Sequence, residues 1–335
     1  MKAVAPVSLG RSGLKVTRLG LGASAIGGLF APVPRREAEA VVLTALELGL
    51  RQVDTAPLYG LGQSELVCGE VFESVGRESV VVSTKAGRVL RVDGPDSEPA
   101  PAGIWHGLEG VQPFFDFSAD GIARSVEASL ERLRLDHLDI VFLHDPDEHM
   151  EQAIAEALPA LRRLQEEGVI GAIGAGMTSS DCLARIVREA EPDCILLAGR
   201  YSLLDQSAAT ELLPSCHELG VDVLVGGVFN SGVLADPTAE ARYDYEPASN
   251  KVIARARRLA EVCGSHGVPL AAAALQFPLR HPAVASVLVG ARSVAELRQN
   301  VQSFEHPIPD ALWLDLVEQR LLTLPESASA HVPAR

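Results

Sequence analysis

Aromatic residues are scarce in this sequence. Nine Phe, four Tyr and two Trp among 335 residues leave Leu, Val and Ala to fill the interior, and a hydrophobic fraction of 47% is ample for a full core. Positive charge is also short. There are 29 Lys and Arg against 44 Asp and Glu, a net charge of −15. That balance argues against nucleic-acid and anionic-membrane partners, because both need a basic face. Cysteine is sparse and unpatterned. Cys68, Cys182, Cys194, Cys216 and Cys263 are odd in number, and no pair has metal-ligand spacing. They read as incidental thiols in a reducing cytosol, so the expected location is cytoplasmic. The nine histidines form no HExxH or HxH pattern, and no metal is expected. No apolar run reaches the roughly 18 residues of a membrane span. Met1 to Gly10 has one lysine and no apolar stretch, so it does not read as a signal peptide. A GxGxxG turn is missing from the first strand–helix unit, which counts against an open doubly wound sheet.

What is present is a regular alternation of short apolar runs with helical patterns. Val7 to Arg18 reads as a hairpin around Ser12-Gly13. Arg18 to Gly22 reads as the first strand, and the next strands end at Asp54, Lys85 and His144. Val169 to Gly174, Cys194 to Ala198, Asp222 to Val225 and Ser286 to Val289 complete eight. Between and after them, helices are expected at 34–48, from Ser64, 118–133, 153–167, 180–190 with Ser180 as cap, 208–219, 249–263, 270–279, 294–303 and 311–322. Eight buried strands alternating with helices indicate an α/β fold. It is expected to be a parallel (β/α)8 TIM barrel, one domain over 1–335, with an N-terminal hairpin and extra C-terminal helices. The stretch from Pro325 has no pattern and reads as a loose tail.

Reactive side chains collect at the strand ends, where a barrel places its site. Asp54 and Tyr59 lie in Asp54-Thr55-Ala56-Pro57-Leu58-Tyr59-Gly60, Lys85 in Ser83-Thr84-Lys85-Ala86-Gly87, and His144 before Asp145-Pro146. A phenol with its ordinary pKa near 10 is a poor proton carrier at neutral pH. A neighbouring ammonium favours the phenolate, a carboxylate holds the ammonium, and a histidine can bond the reacting oxygen. Together they suit proton transfer to or from a carbonyl or alcohol oxygen. Taken singly, each residue has an ordinary structural reading.

On these four positions the sequence resembles the aldo-keto reductase family, from about Leu19 to about Asn300. The resemblance implies catalytic roles for Asp54, Tyr59, Lys85 and His144 and a bound nicotinamide dinucleotide. Gly22-Ala23 would let backbone approach it closely, with Asp54 beside them. Gly290-Ala291-Arg292-Ser293 leads into a helix whose N-terminus suits an anion. The resemblance implies that this helix, through Gln299 and Asn300, meets the adenosine end. Where family members that use NADP often carry a basic residue, this chain has Glu296, which favours NAD. Arg292 is the counterweight, and NADP stays open. The commonest family pattern is broken after strand five, where Gly176-Met177-Thr178 replaces Ser-Asn, and at Ala198, which replaces glutamine. Nicotinamide contacts are therefore sought at Met177, Thr178, Arg200 and in Phe229-Asn230-Ser231-Gly232.

Further stretches, among them Arg200 to Gln206, Phe115 to Ser118 and His144 to His149, are similar to the aldose-oxidising branch of that family, with a pyridoxal-oxidising member close to it. The implied substrate is a cyclic aldose of the L-fucose or D-threo type, contacted by Tyr59, His144 and Trp105. Pyridoxal oxidation, NADPH-dependent carbonyl reduction and a nicotinamide-binding regulatory subunit are the alternatives. The Pro- and Gly-rich stretch from Arg88 to Phe117 reads as a lid. A small-molecule substrate and a monomer or weak homo-oligomer are expected.

Overall fold

The computed structural model describes residues 1–92 and 104–323. Eight parallel strands close into a barrel: β1 (Leu19–Gly22), β2 (Gln52–Asp54), β3 (Val81–Ala86), β4 (Leu138–His144), β5 (Ile170–Met177), β6 (Cys194–Ala198), β7 (Asp222–Gly226) and β8 (Val284–Gly290). Neighbours in sequence are neighbours in space. β8 returns to β1 with Val287 opposite Leu19 and Gly290 opposite Gly22.

Around them lie α1 (Arg35–Glu47), α2 (Gln63–Val75), α3 (Ala119–Leu133), α4 (Leu158–Glu166), α5 (Ser180–Ala190), α6 (Leu212–Leu219), α7 (Asn250–Ser265), α8 (Leu270–Gln276), α9 (Val294–Phe304) and α10 (Asp310–Glu318). α3 shows how local sequence sets these elements. Ile122, Val126, Ser129 and Leu133 recur at helical spacing and are buried. Ser118 Oγ accepts from Gly121 N at 3.1 Å and starts the helix. Arg134 ends it in a left-handed conformation, φ +55°.

The N-terminal hairpin pairs Pro6–Leu9 with Leu14–Thr17. Leu9 and Val16 enter the barrel and pack with Ile140, Phe142, Leu196 and Leu224. Burying such side chains stabilises by roughly 1.5–3 kcal/mol each. Gly10 N donates to the Asp222 carboxylate beside them. The bottom is thus plugged, and the C-terminal ends of the strands form the open mouth.

Several boundaries differ from the sequence reading, each for a local reason. β5 runs to Met177 rather than Gly174, because β6 extends pairing to Leu197 opposite Met177. Ser179, not Ser180, caps α5 and accepts from Cys182 N. The expected 153–167 helix opens with a wide π-type turn at Ala153–Ala157 before α4. Pro159 has no N–H to bond the carbonyl four residues back, which favours the wider turn. The expected 208–219 helix breaks into a short turn, Ser207–Ala209, and α6, with Pro214 in its first turn. The C-terminal helix begins at Asp310 and stops at Glu318, short of Leu322. The Arg88 to Phe117 stretch is no simple loop, since Arg88–Arg91 pairs antiparallel with Gln112–Phe115. The tail expected from Pro325 lies outside the described residues. Among the described residues, no helix is long and apolar enough to cross a membrane.

Candidate active site

The strand register brings the sequence-predicted residues to one level of the barrel mouth. Asp54 stands opposite Ser83, Lys85 opposite Phe142, and His144 opposite Gly176. Lys85 Nζ donates to Asp54 Oδ2 and to the Thr55 carbonyl, both at 2.8 Å. Ser83 Oγ donates to the other carboxylate oxygen, Asp54 Oδ1, at 2.8 Å. Lys85 and Asp54 are almost fully buried, so the ion pair is fixed from both ends.

Tyr59 comes from the turn after β2, not from a strand end. Its N donates to Ala56 O and its carbonyl accepts from Ser64 N, both at 3.1 Å. Its ring lies 4.5 Å from Lys85 Nζ and meets His144 edge-on at 5.9 Å. Trp105 stacks on it with ring centroids 5.0 Å apart. A side-chain carbon at Gly27 would stand 2.8 Å from the Tyr59 carbonyl carbon. The turn after β1 therefore presses directly on the Tyr59 backbone, and glycine makes that possible.

Burial governs the titration of these groups. It pushes the Tyr59 phenol up to about 12, with Lys85 pulling it down and Asp54 adding to the rise. Lys85 favours the phenolate, as the sequence suggests, but burial outweighs it. Burial would lower the Lys85 ammonium, but Asp54 and then Tyr59 hold it above its ordinary value. His144 is held well below its ordinary value by burial, then by Arg88 and Lys85. The site at neutral pH therefore contains a phenol, an ammonium and a neutral imidazole.

Two adjoining hollows meet at Tyr59, and both are also lined by Trp105, Thr178 and Tyr245. The first runs as a groove from Asp54 and Tyr59 to the start of α9. Gly22, Thr178, Phe229, Asn230, Ser231, Gly232, Gly290, Ala291, Arg292 and Glu296 line it, as the sequence reading expects of a cofactor site. Met177 lines the second hollow instead. Ala23, Gln299 and Asn300 line neither. Ala23 spends its N on Asp54 O and its carbonyl on Ser64 Oγ. Gln299 faces outward from α9, and Asn300 Nδ2 donates to the Gly290 carbonyl at 3.1 Å. Arg200 is also outside the groove, tied to Asp244 at 2.9 Å and Asp205 at 3.5 Å.

The groove fits a dinucleotide. Side-chain carbons at Gly22 and Gly226 would meet nothing closer than 3.7 Å, and one at Gly232 would meet nothing within 4 Å. These glycines bare their backbone to the groove rather than to the protein. Asn230 Oδ1 is buried there without a partner among the described residues, an acceptor with capacity to spare. At the far end, Ser293 Oγ accepts from Glu296 N at 3.2 Å, and Arg292 N donates to Glu296 Oε2 at 2.8 Å. Val294 N donates to Glu37 Oε1, from α1, at 3.0 Å. The helix N-terminus thus already holds two carboxylates.

The second hollow holds Lys85, His144 and Trp105 together with Arg88, Asp145, Asp147 and Glu148. Sequence reading missed Arg88, Asp145, Glu37 and Tyr245. Tyr245 sits at the tip of a short hairpin, Arg242–Tyr243 against Glu246–Pro247, in a polar stretch without periodicity. For Arg88 the signal available was an arginine two residues past the apolar run that ends in Lys85 and Ala86. Among the described residues, no group of three His, Cys, Asp or Glu could hold a metal ion.

The chain is similar to several known proteins. The sequence model of the Aldo/keto reductase family matches residues 18–318. A D-threo-aldose 1-dehydrogenase from a Pseudomonas species is 44% identical over 94% of this chain and 97% of its own length. A pyridoxal 4-dehydrogenase from Microbacterium luteolum is 40% identical over 96% of this chain and 99% of its own. Among solved structures, an aldo-keto reductase from Bacillus halodurans in its holo form superposes with a TM-score of 0.75. It is 27% identical and covers 97% of this chain and 99% of its own. The chain therefore belongs to the aldo/keto reductase family and is an NAD(P)-dependent oxidoreductase.

Proposed function

We propose that this protein oxidises the anomeric carbon of a neutral cyclic aldose to the lactone with NAD+, using Tyr59 as the proton-transfer group. The observation that carries the reading is the junction of the two hollows at Tyr59, with Lys85 and His144 on either side. The groove supplies the hydride acceptor when a nicotinamide dinucleotide occupies it. Thr178 and Asn230 would hold its reactive end, and Gly290 to Arg292 its far end.

In the second hollow, Tyr59 takes the proton of the anomeric hydroxyl as the hydride leaves C1. Lys85 stabilises the phenolate form of Tyr59 that accepts this proton, and Asp54 keeps the ammonium in place and charged. His144, neutral and desolvated, bonds the reacting oxygen and fixes its position. Carbonyl reduction uses the same groups in reverse, with the phenol as acid. A wall bearing Asp145, Asp147 and Glu148 suits hydroxyl donors and repels phosphate esters. Glu37 and Glu296 support NAD over NADP. A 2′-phosphate at the start of α9 would meet two carboxylates and find its amides taken, although Arg292 offers one cation.

A second reading, oxidation of pyridoxal as its hemiacetal, keeps every role and is favoured by the 40% identical relative named for that reaction. NAD+ reduction followed by absorbance, with L-fucose, D-arabinose, L-galactose and pyridoxal, decides between them. Turnover of a threo aldose supports the first reading, and turnover of pyridoxal alone replaces it. Tyr59→Phe should abolish turnover and leave NAD+ binding nearly unchanged. If activity survives, Tyr59 is not the proton carrier.

A further inference from the structure

His144 and Asp145 are adjacent in sequence, yet both line the second hollow. In a strand, successive side chains point to opposite faces. The chain breaks this rule at Asp145, whose φ is +46°. Left-handed backbone is uncommon for a residue other than glycine, and such residues gather at functional sites. The Asp145 N still donates to the Gly176 carbonyl at 3.1 Å. The barrel ladder therefore reaches this residue, and the chain turns at it.

The carboxylate is held in place as well as turned. Arg88 Nη2 donates to Asp145 Oδ2 at 2.7 Å, while the Asp145 side chain stays 34% exposed. Arg88 is 8% exposed, and its guanidinium packs on the Phe115 ring at 4.6 Å. Its Nε is buried without a partner among the described residues. Burying an arginine with one carboxylate partner and an unpartnered Nε is costly, and what the arrangement fixes is the position of the Asp145 carboxylate. Asp145 Oδ2 is 3.7 Å from His144 Nε2. That is too long for a direct hydrogen bond, but it leaves two polar groups side by side, facing the same space.

We propose that Asp145, held by Arg88, receives the hydroxyl on the carbon next to the reacting carbon, and so selects which aldoses the site accepts. This rests on the aldose reading above. His144 Nε2 addresses the reacting oxygen, and a carboxylate at its side can only accept, so it demands a donor there. A hydroxyl on the adjacent carbon is such a donor. The carboxylate also favours the imidazole tautomer that carries its proton on Nε2, which makes His144 a donor to the reacting oxygen. Burial raises the Asp145 carboxyl above its ordinary value, and Arg88 opposes that rise.

The test is a cycle of two substrates and two proteins. The wild type and Asp145→Asn are each assayed with an oxidised aldose and with its 2-deoxy counterpart, and kcat/KM is compared. A hydrogen bond to a charged acceptor gives the wild type a loss of roughly 10- to 100-fold on removing the 2-hydroxyl. Asp145→Asn should lose little on the same change. Equal 2-deoxy penalties in both proteins overturn the inference alone. Failure of the wild type to oxidise any aldose overturns both the inference and the function on which it rests. Should Asp145→Asn not fold, the wild type still decides. Loss of the C2 hydroxyl must cost far more than loss of the C6 hydroxyl, and equal costs refute the assignment.

Discussion

Replacing Lys85 with methionine removes the charge beneath the Tyr59 ring and keeps most of the side-chain volume. At the 4.5 Å between Lys85 Nζ and the ring centroid, an effective dielectric of about 20 gives an ammonium–phenolate attraction of about 4 kcal/mol. That corresponds to a change of roughly a thousandfold in the phenolate population. The sign for activity follows from the raised phenol, which burial pushes up to about 12. Oxidation uses the phenolate, so its rate should climb with pH throughout the neutral and mildly alkaline range. Reduction uses the phenol and should stay level there. Lys85→Met should move the oxidation limb to higher pH and lower kcat/KM at any fixed neutral pH by about two to three orders of magnitude.

The assay is NAD+ reduction by a turned-over substrate across a pH series. A complication is stability, because the variant leaves the Asp54 carboxylate buried and unpaired at a cost of about 3–5 kcal/mol. The double variant Asp54→Asn with Lys85→Met removes that charge and should regain thermal stability without regaining oxidation. An unshifted pH profile in Lys85→Met would refute the electrostatic role. Recovery of oxidation in the double variant would show that the defect came from unfolding.

Two further outcomes test the surroundings of the site. Gly27→Ala places a carbon 2.8 Å from the Tyr59 carbonyl carbon. It should lower kcat at least tenfold through displacement of Tyr59, while calorimetry shows a smaller loss of NAD+ affinity; unchanged kcat would mean that the turn gives way freely. Neutralising the start of α9 with Glu37→Gln and Glu296→Gln should raise NADP+ affinity relative to NAD+ by roughly 10-fold, read as the ratio of dissociation constants. A ratio equal to that of the wild type would assign cofactor choice elsewhere.

The sequence by itself determined the barrel and its reactive strand ends. Apolar runs of four to eight residues alternating with helical periodicity leave few folds open, and Asp54, Lys85 and His144 each close such a run. Capping was legible only to within a residue: the sequence put the α5 cap at Ser180, and the structure puts it at Ser179. The sequence did not determine how the groups would titrate. Desolvation depends on everything packed around a side chain, and only the closed barrel mouth shows that burial of Tyr59 outweighs the pull of Lys85.

Tertiary structure alone also decided the partners from distant segments. Glu37 reaches the amide of Val294, and Arg88 reaches Asp145, across 257 and 57 residues of chain. Tyr245 joins Tyr59 in lining both hollows through a hairpin with no pattern of its own. Local propensity acts over a few residues, whereas these contacts are set by barrel closure. Closure brings every strand end to one rim, whatever the separation in sequence.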